Sequence, residues 1–251
     1  MGLKGARSMA AFAASSEKLK SFGRSWTRHV TLPAALGVGL AAKAAIDWET
    51  AFTGVRKTVN ATQGQFAQME HGLRSMALHI PVAATELAGI AEAAGQLGIK
   101  RTAIMGFTRV IADLGVATNL AGEEGASTLA RFANITQMPQ TQFDRLGSTI
   151  VALGNAGAST EKDIAAMGLR IAAAGDYVGM TEPQILGYAN ALSSVGIEAE
   201  AGGSAISTVF KIINSAVDGG GKKLAAFASV SGESSSAFAK HWKQDAASAS
   251  V

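Results

Sequence analysis

Two of the four histidines, His71 and His79, stand eight residues apart. On a helix that spacing turns through about 80°, which is wide for two ligands of one metal. Neither sits in an H-E-x-x-H or other metal-ligand pattern, and neither do His29 and His241. All four read as solvated or capping side chains. Glu123-Glu124 offers two carboxylates of the kind general acid–base catalysis uses. They also fall in an expected first helical turn, where carboxylates suit the helix dipole, and that simpler reading is preferred. Gly37-Val-Gly39-Leu-Ala-Ala42 imitates a dinucleotide fingerprint, in which glycines let a pyrophosphate approach the turn between a strand and a helix. Pro33 in the preceding run and the lack of a βαβ pattern argue against it. Gly219-Gly-Gly-Lys-Lys223 is not a phosphate loop: Ala216 stands where the first glycine belongs, and Lys222 is followed by Lys instead of Ser or Thr. There is no Gly-x-Ser-x-Gly elbow. Asn60-Ala-Thr62 and Asn134-Ile-Thr136 match the glycosylation tripeptide, which is common by chance. Cysteine is missing altogether, so thiolate chemistry and disulfide stapling are excluded. No catalytic, cofactor-binding or metal-binding residue is assigned, no cofactor is expected, and the chain is read as non-enzymatic. An enzyme with an unrecognised site would show a deep polar pocket with converging titratable groups.

The elements that could position any site are helices. The 251 residues include 50 Ala and 29 Gly, about 31% together, against 4 Pro. Alanine loses no side-chain entropy in a helix, while so much glycine argues for many helix ends and close helix contacts. Charge is too low and apolar content too high for disorder. Ile104, Phe107, Ile111 and Leu114 repeat at helical spacing. So do Ile164, Met167, Ile171, Ala174 and Val178; Ile185, Ala189, Leu192 and Val195; and Ile206, Phe210, Ile213 and Val217. Each series predicts one apolar helix face. No stretch alternates long enough to be a strand. Thr141-Gln-Phe-Asp144, Thr160-Glu-Lys-Asp163 and Thr181-Glu-Pro-Gln184 have the form of helix N-caps. Gly98-Ile99 and Gly196-Ile197 have the form of C-terminal stops. The expected fold is all-α, an antiparallel array of short Ala/Gly-rich helices without a sheet.

The two stops belong to a similarity at an offset of 98. Leu87–Ile99 aligns with Ile185–Ile197, with Gly89/Gly187, Ala91/Ala189, Ala93/Ala191, Gly98/Gly196 and Ile99/Ile197 identical. It is either a structural repeat or the chance self-match of an Ala- and Gly-rich chain. Close helix contacts are expected at Ala91, Ala93, Ala189 and Ala191.

Charge divides the chain. Residues 1–45 carry Lys4, Arg7, Lys18, Lys20, Arg24, Arg28 and Lys43 against Glu17, so they are strongly basic within a total of +3. Residues 1–30 are expected as a basic helix or linker with Met9, Phe12, Leu19, Phe22 and Trp26 as apolar points. The arm lacks the dense clustering that phosphate binding favours, so no specific nucleic-acid binding is expected. Residues 30–46 form an apolar run that reads as a buried or partner-facing helix, because Pro33, two glycines and Lys43 weaken it as a span. The compact part is expected over 31–218. Residues 219–251 are expected as a flexible Gly-rich break and a truncated helix through Phe238, His241 and Trp242.

Particular residues carry a family resemblance. They run in order: Val30-Thr-Leu-Pro33; Ala45-Ile-Asp47-Trp-Glu49 through Phe52 and Val55 to Val59; Leu73 through Ile80-Pro81; Glu86-Leu-Ala88; and Ala94-Gly95-Gln96-Leu97-Gly98-Ile99. Then follow Ala117-Thr118, Leu129-Ala-Arg-Phe-Ala-Asn134, Ser159-Thr160-Glu-Lys-Asp163-Ile164 and Gly196-Ile-Glu-Ala-Glu200-Ala-Gly202. Their order and spacing over some 200 residues resemble the N-terminal conserved region of tail tape measure proteins of long-tailed bacteriophages and prophages. Phe227 to Phe238 resembles the segment that follows. The resemblance covers about residues 30–245.

The resemblance implies a virion structural protein that acts in tail assembly and tail length determination. It implies partners among the tail tube protein, the tail assembly chaperones and the distal tail or baseplate proteins, together with self-association. The location it implies is the virion tail, inside the tube, after assembly in the bacterial host cytoplasm. One straight helix of this length would span roughly 380 Å, short for a ruler, so a fragment or truncated prophage copy is expected. The alternative is a membrane-active helical protein, for DNA delivery or holin-like, with residues 30–46 in transient contact with the host inner membrane.

Overall fold

The computed structural model describes residues 32–250, with side chains from residue 41 onward. Among the described residues there are helices and no strand. In chain order these are α1 (Leu32–Thr58), α2 (Gln63–Met76), α3 (Ala84–Gln96), α4 (Arg101–Ala117), α5 (Gly122–Ile135), a 3-10 turn (Gln140–Gln142) and α6 (Phe143–Ala156). Then come α7 (Glu161–Tyr177), α8 (Glu182–Ser194), α9 (Ala199–Gly219), α10 (Gly221–Ser231), α11 (Ser235–Gln244) and α12 (Ala246–Ala249). The chain is all-α, as its composition predicts. The basic helix expected over residues 1–30 lies outside the described residues.

The chain divides into two compact units, residues 1–50 and 51–251. In the first, residues 41–47 face solvent and Trp48 is buried. Lys43 Nζ meets Asp47 Oδ2 at 2.6 Å, one helical turn away. Residues 41–46 are not buried among the described residues, so of the buried or partner-facing helix expected there, only the buried alternative fails. No helix of the described residues is long and apolar enough to cross a membrane.

In the second unit, α7 packs on α5, α6, α8 and α9, while α3 packs on α4 and α5. The apolar series largely decide which faces turn inward. Ile104, Phe107, Ile111 and Leu114 are all buried, as are Ile164, Met167, Ile171 and Ala174. The α8 series does not hold to its end: Ile185 and Ala189 are buried, but Val195 is 73% exposed. α8 stops at Ser194, and Val195 is the cap residue where the chain leaves helical phase. Ala91 and Ala189 are buried, whereas Ala93 is half-buried and Ala191 exposed. Positions two apart lie about 200° apart on a helix, so such pairs cannot share a face. The tight contacts are made instead by glycines of α7. A Cβ at Gly168 would come within 2.9 Å of Leu186 Cδ2, and one at Gly175 within 2.6 Å of Ile185 Cγ1.

Two of the three expected N-caps form. The Thr160 hydroxyl accepts the Asp163 N–H at 3.2 Å, and Gln184 Oε1 accepts the Thr181 N–H at 2.9 Å. The third does not. Thr141 sits in the 3-10 turn, and α6 opens at Phe143 without a side-chain cap. The chain enters α6 through the turn begun by Pro139, where the Gln142 N–H already finds the Pro139 carbonyl at 2.9 Å. At the other helix ends, Gly98 and Gly196 take φ of +80° and +79°. The N–H of the following Ile99 and Ile197 closes onto Ala94 and Leu192 carbonyls at 3.0 and 3.1 Å. α5 ends the same way, with Met138 N–H on the Ala133 carbonyl at 2.9 Å, but Gln137 holds the left-handed position at φ 53°. Gln137→Gly removes that Cβ strain and is expected to stabilise the chain by about 1 kcal/mol. The melting temperature would rise by roughly 2–4 °C, as differential scanning calorimetry can show.

The similarity at an offset of 98 is a repeat of structure. Gln63 and Glu161 open α2 and α7, Ala84 and Glu182 open α3 and α8, and Arg101 and Ala199 open α4 and α9. Thr62 and Thr160 cap the first pair, and α3 and α8 each run 13 residues. The equivalent positions also touch, with side-chain sizes exchanged. In the first repeat a Cβ at Gly72 would lie 2.8 Å from Met105 Cε; in the second a Cβ at Gly203 would overlap Arg170 Cβ. Gly72 matches Arg170 and Met105 matches Gly203, so each repeat puts a glycine opposite a long side chain at this crossing. The packing around the repeats is not the same, since α7 lies between α8 and α9 while α3 lies between α4 and α5.

The Gly-rich segment forms a corner between two helices. α9 runs to Gly219 and α10 starts at Gly221, with Gly220 and Gly221 at φ of +67° and +71° between them. Residues beyond 218 then fold back onto α8 and α9 within the unit 51–251. Rings of Tyr188, Phe210, Trp242, Phe238 and Phe227 form a continuous series at 5.6–6.4 Å. Trp242 Nε1 donates to Asn214 Oδ1 at 3.2 Å, Gln184 Nε2 donates to Asp245 Oδ1 at 2.9 Å, and the Tyr188 hydroxyl bonds Ser250 Oγ.

Candidate functional site

His71, His79, His241 and the Glu123–Glu124 pair do not converge on one site. His71 is exposed on α2. His79 follows that helix, and its Nδ1 lies 2.8 Å from the Ser75 carbonyl, a capping contact. His241 on α11 meets Glu233 Oε1 at 2.8 Å. Among the described residues no group of three His, Asp or Glu could hold a metal. Glu123 and Glu124 open α5 as their place before an apolar helix predicts. Glu124 also reaches across to Lys162 Nζ of α7 at 2.9 Å, a pairing 38 residues away that spacing alone does not reveal. Residues 37–42 lie inside α1, not at a turn after a strand. The buried polar side chains among the described residues are Thr108 and Thr136, so each described charged group keeps some contact with solvent.

The described surface instead offers clefts between helices. One, of about 590 Å³, lies between α4 and α6 over Val110, Leu114, Ala117 and Val151, with Asp113 and Asp144 at its rim. The helices meet there because Gly147 leaves room: a Cβ would come within 2.8 Å of Val110 Cγ1. A second cleft, also about 590 Å³, follows the α3–α4 turn and includes Lys100, Ala103, Asn134, Met138 and Gln140. That turn is held from outside. Asn134 Nδ2 donates to the Leu97 carbonyl at 2.8 Å, and Gln140 Oε1 accepts the Lys100 N–H at 2.7 Å. A third cleft, of about 310 Å³, borders the equivalent α8–α9 turn and includes Asp163, Met167, Ser193, Ile197 and Glu198. Large apolar side chains stand out at Leu78 (84% exposed) and Val230 (89%). The first cleft's largely apolar floor and the protruding apolar side chains suit contacts with other polypeptides. Gln140 is a residue that sequence reading missed, because its partner lies 40 positions earlier and no local pattern marks it.

A family model described as phage-related minor tail protein matches residues 70–241. That is about two-thirds of the chain. The chain belongs to the phage-related minor tail protein family. In this minor tail protein the match runs from within α2 into α11. It therefore takes in most of both repeats and all three clefts, and ends one residue before Trp242. No curated protein and no solved structure matches the chain.

Proposed function

We propose that this minor tail protein is the N-terminal helical region of a tail tape measure protein, acting in tail assembly and length determination. The family match over residues 70–241 carries the tail role. The finer reading rests on the order of motifs from Val30 to Gly202, which resembles the conserved region of tape measure proteins. On this reading the chain works by protein–protein contact and not by catalysis. Its partners are the tail tube protein, the assembly chaperones and the distal tail or baseplate proteins, and its place is inside the tube. The open clefts and exposed apolar side chains of the unit 51–251 support contact with such partners.

Tail morphology in a prophage provides the test. In the full gene, in-frame deletions outside the region of residues 31–245 should shorten tails in proportion to the residues removed, as electron microscopy would measure. Disruption of the unit 51–251 should stop tails from assembling. Normal tails in both cases would refute the reading.

A further inference from the structure

The two repeats present equivalent turns with opposite charge. Lys100 and Arg101 follow the α3 stop, and Glu198 and Ala199 occupy the matching places after α8, with Glu200 next. Lys100 is the N-cap of α4 and Arg101 its first residue, with no acidic residue in that first turn. Free backbone N–H groups already make a helix N-terminus positive, so two cations there are locally unfavourable and a carboxylate would be favourable. Among the described residues neither Lys100 nor Arg101 forms an ion pair, and Glu198 forms none either. Glu200 reaches Arg170 at 2.9 Å yet keeps its side chain 81% exposed. Val195 and Ile197 protrude beside Glu198.

The two turns lie at opposite ends of α5, whose 14 residues rise about 21 Å. The basic turn is bound to the C-terminal end of α5 through Asn134 and Leu97. The acidic turn borders the start of α7 in one cleft with Asp163, and the start of α7 is tied to the N-terminal end of α5 through Lys162 and Glu124. The turns of one chain therefore do not meet each other.

We propose that the acidic α8–α9 turn of one copy docks on the N-terminus of α4 in a second copy. Glu198 then faces the N–H groups of Arg101 and Thr102 in the first turn of α4, a charge-assisted contact. The Lys100 N–H is held by Gln140 and the Ala103 N–H by the Lys100 carbonyl. Ile197 and Val195 face the cleft that Ala103, Ala133, Met138 and Pro139 line beside it. Because the contact joins two different surfaces, it is head-to-tail. It gives a surface to the self-association that the tape measure resemblance implies, and tails that shorten on deletion while the chain stays monomeric would separate failure of this contact from failure of that reading.

Sedimentation velocity of the full chain over a concentration series tests it, at low salt and at about 0.5 M salt, where exposed charge pairs are screened. The wild type should associate, and less so at high salt. Lys100→Glu with Arg101→Glu should weaken association about ten-fold or more, and Glu198→Lys should do the same, through like-charge contact. An equal mixture of the two variants should associate again, since the acidic α4 end of one now meets the basic turn of the other. Far-UV circular dichroism checks the fold of each. Should either reversal unfold the chain, Lys100→Gln and Glu198→Gln carry the same comparison by removing charge alone. A monomeric wild type, variants that associate unchanged, or a mixture that stays apart would overturn the proposal.

Discussion

Trp242→Ala is expected to lower the unfolding free energy by about 3–5 kcal/mol, the range for truncating a fully buried Trp. Trp242 is 1% exposed and touches rings from two sides, Phe210 of α9 at 6.2 Å and Phe238 at 6.3 Å. The chain has only 10 Phe, 3 Trp and 2 Tyr, so a five-ring series at one junction concentrates an unusual share of its aromatic packing there. Truncation would also leave Asn214 Oδ1 without its indole donor. A loss of this size is a large part of a typical domain's stability of about 5–15 kcal/mol. Urea unfolding followed by circular dichroism measures it. Trp242→Phe, which keeps a ring and loses the hydrogen bond, should cost roughly 1–2 kcal/mol. If residues 219–250 were peripheral to the fold, the Ala variant would unfold at the wild-type midpoint.

Gly203→Met is expected to destabilise by about 1–3 kcal/mol through overpacking, although methionine is the better helix former. The new Cβ would overlap Arg170 Cβ, which cannot move without shifting α7. Shortening Arg170 does not relieve the clash, because the obstructing atom is its Cβ; only glycine removes it. Arg170→Gly alone should cost about 1 kcal/mol from helix propensity, with little more from its exposed pair with Glu200. The double variant recreates the Gly72–Met105 arrangement of the first repeat. It should therefore be more stable than the sum of the single losses, with a coupling within the range of about 0.5–3 kcal/mol seen for residues in contact. Additive losses in the same urea experiment would mean that the two crossings are not equivalent.

Much of the helical layout was legible beforehand. Thr160 and Thr181 marked helix starts, and Gly98 and Gly196 marked stops, since each cap or stop is an interaction over three to five residues. The stripe from Ile104 to Leu114 marked its buried face for a similar reason: 3.6-residue periodicity is local. Thr141 misled because its pattern is that of a cap, while the 3-10 turn beginning at Pro139 had already satisfied the helix entry. Ala93 and Ala191 misled because residue size was considered without the angle between positions.

The sequence by itself determined the class of fold, most helix ends, the lack of thiol chemistry and, through the order of weak motifs, a place among phage tail proteins. Tertiary structure alone decided how the helices meet. The exchange of Gly72–Met105 for Arg170–Gly203, the hold of Asn134 and Gln140 on the α3–α4 turn, and the return of Trp242 onto α9 each join residues 28–40 positions apart. Such contacts form when packing leaves no other partner within reach, and no pattern of neighbouring residues encodes that choice.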